Sequence, residues 1–336
     1  MSNPALKMDM KMHPLDRLSG LLGDDMAQVN GLILKNMESD VALIPQLAAY
    51  LIAAGGKRIR PLLTLACTRL YDDHGPRPFG LAAAVEFIHT ATLLHDDVVD
   101  ESTERRGKSS ANVVFGNQAS VLVGDFLFSR AFQLMVADGS LEVLRILSNA
   151  SAVISEGEVM QLSAANDVST GMESYTKIIA AKTAVLFSSA CEIGPVIAGA
   201  GAEAQRAMHD FGHNLGMAFQ VTDDILDYTG DQAALGKTVG DDFREGKLTA
   251  PVILAMMDAG AEERAFWTRT MGERDQSADD LAQAIAILNR HNALERGMDM
   301  ARDYAKKAEQ ALLQAKDGPL RSALLDVSNF TVDRTY

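Results

Sequence analysis

Two apolar, helix-like runs in this chain end in the same acidic pattern. The first is V-E-F-I-H-T-A-T-L-L-H-D-D-V-V-D, from Val85 to Asp100; the second, residues 215–221, leads into Asp223-Asp224-Ile225-Leu226-Asp227. At 100° per residue Asp96 and Asp100 lie about 40° apart and Asp97 about 60° from Asp100, so the three acids share one side of a last turn. Carboxylates there oppose the helix dipole. If the two ends face each other, each like-charged pair at about 5 Å and an effective dielectric of about 20 costs about 3 kcal/mol, and cations must be present. Oxygen ligands without an accompanying Cys or His set point to Mg²⁺, which keeps some waters and takes further ligands from a substrate's phosphates.

The rest of the sequence supplies an all-α frame for these ends. Apolar residues make up 47% of the 336 but aromatics only 6%, so the core is built from Leu, Ala, Val, Ile and Met, which favours helices over sheets. Helical periodicity dominates from Pro14 onward, and no Asn-Gly or Asp-Gly pair carries hairpin alternation on both flanks. Helices are expected over 15–37, 42–54, 61–71, 79–101, 119–138, 141–162, 172–193 and 202–228, then 251–258, 261–271, 278–290, 294–314 and 320–330. Gly, Pro, Asn and Asp concentrate at 72–76, 166–171 and 229–246. No Pro/Gly/Ser-rich linker divides the chain, so residues 1–336 read as one large helical domain.

Composition excludes several functions. A net charge of −14 argues against a broad nucleic-acid surface, which needs clustered Lys and Arg. Cys67 and Cys191 are the only cysteines, which suits a reducing cytoplasm rather than a disulfide scaffold. The acid-bearing N-terminus fits neither a signal peptide nor a span, and no uninterrupted apolar run reaches the roughly 20 residues a membrane helix needs. Peripheral membrane contact through a greasy ligand stays open. Residues 230–238 imitate a G-x-x-x-x-G-K-T loop but carry one residue too many and follow a helix; Gly199 to Ala204 fits G-x-G-x-x-A without a βαβ unit.

Four cationic stretches accompany the acids. Gly55-Gly56-Lys57-Arg58-Ile59-Arg60-Pro61 gathers three cations behind two glycines, a turn suited to a diphosphate. Arg105-Arg106-Gly107 follows the first acidic cluster, Lys182-Thr183 falls inside a helix, and Gly236-Lys237 to Gly246-Lys247 forms a glycine-punctuated loop. His89 lies two helical turns before Asp96 on nearly the same face, whereas His95, turned about 100° from Asp96, reads as structural.

Together these residues resemble the long-chain trans-prenyl diphosphate synthases, the octaprenyl or decaprenyl type that makes quinone side chains. The resemblance rests on G-G-K-R-I-R-P at Gly55, F-I-H-T-A-T-L-L-H-D-D-V-V-D-E-S-T-E-R-R-G at Phe87, G-D-F-L-F-S-R-A-F at Gly124, E-G-E-V-M-Q-L at Glu156, K-T-A at Lys182, A-F-Q-V-T-D-D-I-L-D-Y at Ala218 and L-G-K-T-V-G-D-D-F-R-E-G-K at Leu235. It implies a helical bundle around a central cavity, usually a homodimer, with the acidic motifs facing across its mouth. It also implies that Asp96, Asp100 and Asp223 bind Mg²⁺ and, with Lys182, are the catalytic set. Isopentenyl diphosphate is assigned by resemblance to Lys57, Arg60, His89 and Arg106. The allylic substrate, such as farnesyl diphosphate, is assigned to Arg105, Lys182, Thr183, Gln220 and Lys237.

A terpene cyclase shares such a fold but would not need the separate isopentenyl pocket, and a non-catalytic partner subunit typically lacks an acidic cluster; both clusters are whole here. Chain length is expected to depend on the small Ala91 and Thr92, one turn before Asp96, with the floor at Phe132 or its neighbours Phe128 and Met135 on the next helix. Because the acids would anchor the ions that hold the leaving group, Asp96→Ala or Asp223→Ala is expected to abolish most turnover at saturating Mg²⁺, measured as isopentenyl incorporation; near-native rates would remove the metal assignment.

Overall fold

The computed structural model describes residues 12–53, 55–229 and 239–334. The run 15–37 forms two helices, α1 (Pro14–Leu22) and α2 (Asp25–Asn36), divided at Gly23, whose φ of 57° suits glycine and whose N–H closes on Gly20 O. There follow α3 (Leu43–Ala53), α4 (Ile59–Arg69) and α5 (Arg77–Val99), the helix that carries the first acidic motif. A two-stranded hairpin, β1 (Glu104–Arg105) and β2 (Lys108–Ser109), separates α5 from α6 (Ala111–Phe115) and α7 (Asn117–Asp138). Next come α8 (Leu141–Ala164), α9 (Met172–Ile179), α10 (Val185–Ile197) and α11 (Ala202–Thr229), which carries the second motif. The chain continues through α12 (Asp241–Glu245), α13 (Ala250–Met257), α14 (Ala261–Trp267), α15 (Asp280–Arg290), α16 (Ala293–Leu312) and α17 (Pro319–Asp333).

Two expected helices contain wide turns. The run 172–193 is interrupted by a π turn at Ala180–Ala184, and 261–271 ends in another at Thr268–Gly272. A π turn inserts one extra residue and re-aims the side chains it carries, here Lys182 and Thr183.

Helix α10 is the centre of the bundle. It is buried on nearly every side and packs against α4, α5, α8 and α11, as a helix apolar all round must. Glycines permit the closest approaches: a Cβ on Gly194 would stand 2.6 Å from the Cys67 backbone of α4, one on Gly212 would stand 2.5 Å from Phe187 O, and one on Gly216 would stand 2.7 Å from Ala184 Cα. These distances lie inside van der Waals contact, so the backbones could not remain where they are if side chains were added.

Two stretches, Asn117–Asp138 and Met172–Ile197, are long and apolar enough on average to cross a membrane, although neither is an unbroken apolar run. The second is mostly buried core. The first is α7, which packs on α5 along one face and leaves Leu122, Phe132 and Val136 exposed along another. Gly212→Ala should lower stability by about 1–3 kcal/mol through overpacking, whereas Gly20→Ala, in helix α1 with no neighbour within 4 Å of the added Cβ, should be neutral or stabilising by about 0.5–1 kcal/mol. Urea unfolding midpoints of the two variants check this.

Candidate active site

The first acidic motif ends α5 in a Schellman closure without glycine. Ser102 N–H donates to Asp97 O at 3.0 Å while Glu101, with φ at 52°, takes the left-handed position. This turns the chain straight into the hairpin, whose two-residue loop is Arg106-Gly107 with φ of 54° and 71°. Such a turn needs positive φ at both central residues, usually Asn-Gly. Arg106 holds it because its guanidinium donates to Gly55 O, across the G-G-K-R turn. A Cβ at Gly56 would lie 2.7 Å from Arg106 Nη1, so the glycine pair is what allows the two cationic stretches to lie against each other.

The acids divide by environment. Asp97, 3% exposed, accepts from Arg105 Nε at 2.7 Å and Nη2 at 2.6 Å. Asp224, 4% exposed, accepts from Tyr175 OH at 2.6 Å and Gln220 Nε2 at 2.8 Å. Burial pushes Asp224 up to about 7, against the pull of these two hydrogen bonds. The middle acids are thus enclosed and satisfied by protein groups. Asp100 instead accepts from Lys247 Nζ at 2.8 Å, and Asp223 from Arg334 at 2.6 Å. Burial, then the Glu158 carboxylate, push Asp96 up to about 7 in spite of Lys182 nearby.

The two motifs are joined through the turn after α11. Asp227 accepts from the Asp241 and Asp242 N–H groups at 3.3 and 3.1 Å, and its own carbonyl accepts from Gly240 N–H at 2.7 Å. Lys247, whose N–H donates to Asp242 O, reaches from this turn to Asp100. Burial alone would lower Lys247, but Asp100, Glu245 and Asp242 outweigh it and hold the ammonium above the ordinary lysine range, so it remains charged.

Among the described residues no three Asp, Glu, His or Cys side chains converge closely enough to hold a metal ion unaided. The donor set nevertheless fits a hard divalent cation that completes its shell with water and phosphate oxygens: Asp96 carries an unfavourable buried charge, and Asp100 and Asp223 already bind cationic groups.

The cations expected to hold substrate gather around these acids. Arg60 lies 4.4 Å over the Phe187 ring with its Nε buried and without a hydrogen-bond partner; burial lowers it to about 10, which leaves it charged. Burial, then Arg60, Arg106, Arg105 and Arg58, hold His89 well below the ordinary imidazole range, so it is neutral. Lys57 is lowered by burial and Arg334 against Asp223. A cleft beside Lys57, Phe219 and Arg334 has apolar walls from Leu215, Val327 and Phe330. Arg58, by contrast, pairs with buried Glu86 at 2.5 Å and secures the turn.

On the other side, the π turn presents Lys182 to Glu158 at 2.6 Å and Gln161 at 2.9 Å, and Thr183 to Gln220 at 2.8 Å. Lys237 lies outside the described residues. Ala91 is fully buried and Thr92 half-buried, its hydroxyl donating to His89 O at 2.7 Å. Of the three positions on α7 expected to form the floor, Met135 is buried, Phe128 stacks on His95 at 6.1 Å, and Phe132 faces outward at 41% exposure. Gly124 makes room for the His95 ring. Sequence reasoning missed Tyr175 and Arg334; the first was detectable as a rare aromatic two turns ahead of Lys182, while nothing local marks the second.

The chain matches the polyprenyl synthetase family over residues 41–288. The chain belongs to the polyprenyl synthetase family. It is accordingly a prenyltransferase, all-α and of the isoprenoid synthase fold. It is 46% identical over 320 residues to the octaprenyl diphosphate synthase of Escherichia coli (strain K12), covering 95% of this chain and 99% of that one. A polyprenyl synthase from Caulobacter crescentus CB15, complexed with calcium and isoprenyl diphosphate, superposes with a TM-score of 0.93 at 51% identity, over 96% of this chain and 98% of the other. A decaprenyl diphosphate synthase from Rhodobacter capsulatus gives 0.92 at 51% identity, over 96% and 99%.

In this prenyltransferase the buried middle acids are expected to serve structure. Asp97→Asn, which removes the charge paired with Arg105, should lower stability by about 2 kcal/mol, and added divalent metal should not restore the thermal midpoint. Recovery with metal would make Asp97 a ligand.

Proposed function

We propose that this chain is a long-chain trans-prenyltransferase that adds isopentenyl diphosphate repeatedly to an allylic diphosphate such as farnesyl diphosphate, with Mg²⁺, to give octaprenyl or decaprenyl diphosphate for a quinone side chain. The observation that carries the reading is that a mainly cationic group of side chains and a second, polar group with one lysine flank two acidic helix ends. Lys57, Arg60, His89 and Arg106 form one wall, and Lys182, Thr183 and Gln220 the other. A cyclase, with one diphosphate to hold, has no use for the first.

Asp96, Asp100 and Asp223 would hold the metal. When bound, Mg²⁺ neutralises charge that develops on the departing diphosphate. Lys182 adds a fixed ammonium on that side, an electrostatic contribution set before the allylic C–O bond breaks. The isopentenyl double bond then attacks the allylic cation and a proton leaves. His89 is a poor base for that proton because burial and its arginine neighbours suppress its basicity. The pyrophosphate just released is the remaining acceptor.

The enzyme acts as a homodimer in this reading. Leu122, Phe132 and Val136 on α7 and Leu141, Val159 and Leu162 on α8 are exposed at helical spacing, and an apolar surface of this kind suits a second copy.

The elongating tail runs from Asp96 past Thr92 and Ala91, whose own side chains are small. One helical turn rises about 5.4 Å, close to one extended five-carbon unit. The products formed from farnesyl diphosphate, isopentenyl diphosphate and Mg²⁺, separated by length, test the whole proposal, and a cyclic hydrocarbon or no product would overturn it. Ala91→Phe or Thr92→Phe should cut the product to about 15–20 carbons with the first condensation largely intact; unchanged length in both active variants would move the tail elsewhere.

A further inference from the structure

The π turn that presents Lys182 and Thr183 is tied to α11 on both flanks. Ahead of it, Tyr175 is 3% exposed and donates from its hydroxyl to Asp224 Oδ2 at 2.6 Å. Within it, Thr183 donates to Gln220 Oε1 at 2.8 Å. The two anchor points lie one turn apart on α11 and are themselves joined, since Gln220 Nε2 donates to Asp224 Oδ1 at 2.8 Å. Three hydrogen bonds therefore leave α9, pass along α11 and return to the turn.

The ties also have a direction. Burial, then the adjacent Asp224, keep the Tyr175 phenol protonated well above its ordinary range, so it approaches the carboxylate as a donor. With one Asp224 oxygen engaged by the phenol, the other takes an N–H of Gln220, which obliges the amide to turn its oxygen to Thr183. Without the phenol, Asp224 loses the contact that fixes its plane and the Gln220 amide loses its reason to face one way. Phenylalanine would fill the same space, so packing does not require the hydroxyl.

We propose that Tyr175 is a positioning residue for the allylic diphosphate: through Asp224 it sets the Gln220 amide and, through that amide, Thr183 in the π turn. This rests on the assignment of Thr183 and Gln220 to the allylic side. Tyr175 touches no substrate itself. Its effect is transmitted, and transmitted effects have a distinctive signature in a double-mutant cycle.

The test compares wild type, Tyr175→Phe, Thr183→Val and the double variant at about pH 8, where the carboxylates are ionised, with farnesyl and isopentenyl diphosphates. Tyr175→Phe should raise the KM for the allylic substrate about tenfold, the loss typical of a hydrogen bond to a charged group, and leave that for isopentenyl diphosphate within about twofold. The double variant should be no worse than Thr183→Val alone. Penalties that multiply, or an isopentenyl KM that rises as far as the allylic one, overturn the proposal. If Tyr175→Phe does not fold, Asp224→Asn, which breaks the same chain of bonds, takes its place in the cycle. Calorimetric binding of inorganic pyrophosphate to the folded variant gives a readout without turnover: weaker binding than wild type supports the role and equal binding overturns it. A wild type that makes no polyprenyl product would refute the proposed function, and the pyrophosphate affinities would still decide the role of Tyr175.

Discussion

The distance between α11 and the π turn at Ala180–Ala184 governs the rest of the site. It is set by sterics, because Gly216 against Ala184 of the turn, and Gly212 against Phe187 of the helix that continues it, leave no room for even a methyl group. At that separation Thr183 meets Gln220 and Tyr175 meets Asp224. On the opposite side of the same turn a Cβ at Gly157 would stand 2.8 Å from Ala181 Cβ, and the approach it permits brings Glu158 to Lys182. Hydrogen bonds of 2.6–2.9 Å tolerate little error, and close-packed interiors pass displacement on rather than absorb it. The polar geometry of the site is therefore a consequence of apolar packing several residues away.

Backbone strain also marks the other wall. Arg58, Glu101 and Arg106 all adopt positive φ without being glycine, at about 1–2 kcal/mol each. All three stand where the chain turns sharply, and two of them keep a side chain that is engaged. Arg58 pairs with Glu86, and Arg106 lies against the Gly55-Gly56 backbone. Glycine in those positions would relax the backbone and delete the charge.

Long periodic runs were readable because burying one face or all faces of a helix leaves a regular mark in sequence, and α5, α8, α11 and α16 fall close to where periodicity puts them. The interruptions were not. The break at Gly23 lies inside a continuous amphipathic run, and π turns add one residue without any characteristic composition. The hairpin escaped because its loop is Arg-Gly, an arginine held at positive φ by a contact 51 positions away in the chain. The outward direction of Phe132 was hidden because α7 is apolar on two faces, so that hydrophobicity alone does not say which is inside. Within the site, acids, cations and glycines were visible as clusters of chemistry, yet which acid is enclosed and which is open depends on Arg105, Tyr175, Lys247 and Arg334, partners brought in by tertiary structure.

Lys247 on Asp100 and Arg334 on Asp223 give the site the character of an ion exchanger supplied in its organic-cation form. Two of the carboxylates assigned to metal already carry a counter-ion that belongs to the chain. Loading would thus be an exchange of partners, which releases an ammonium and a guanidinium into the pocket at the moment a diphosphate arrives with its own negative charge. Local charge would stay near balance at each stage, and the folded chain would not depend on prior capture of metal to keep its acidic helix ends together.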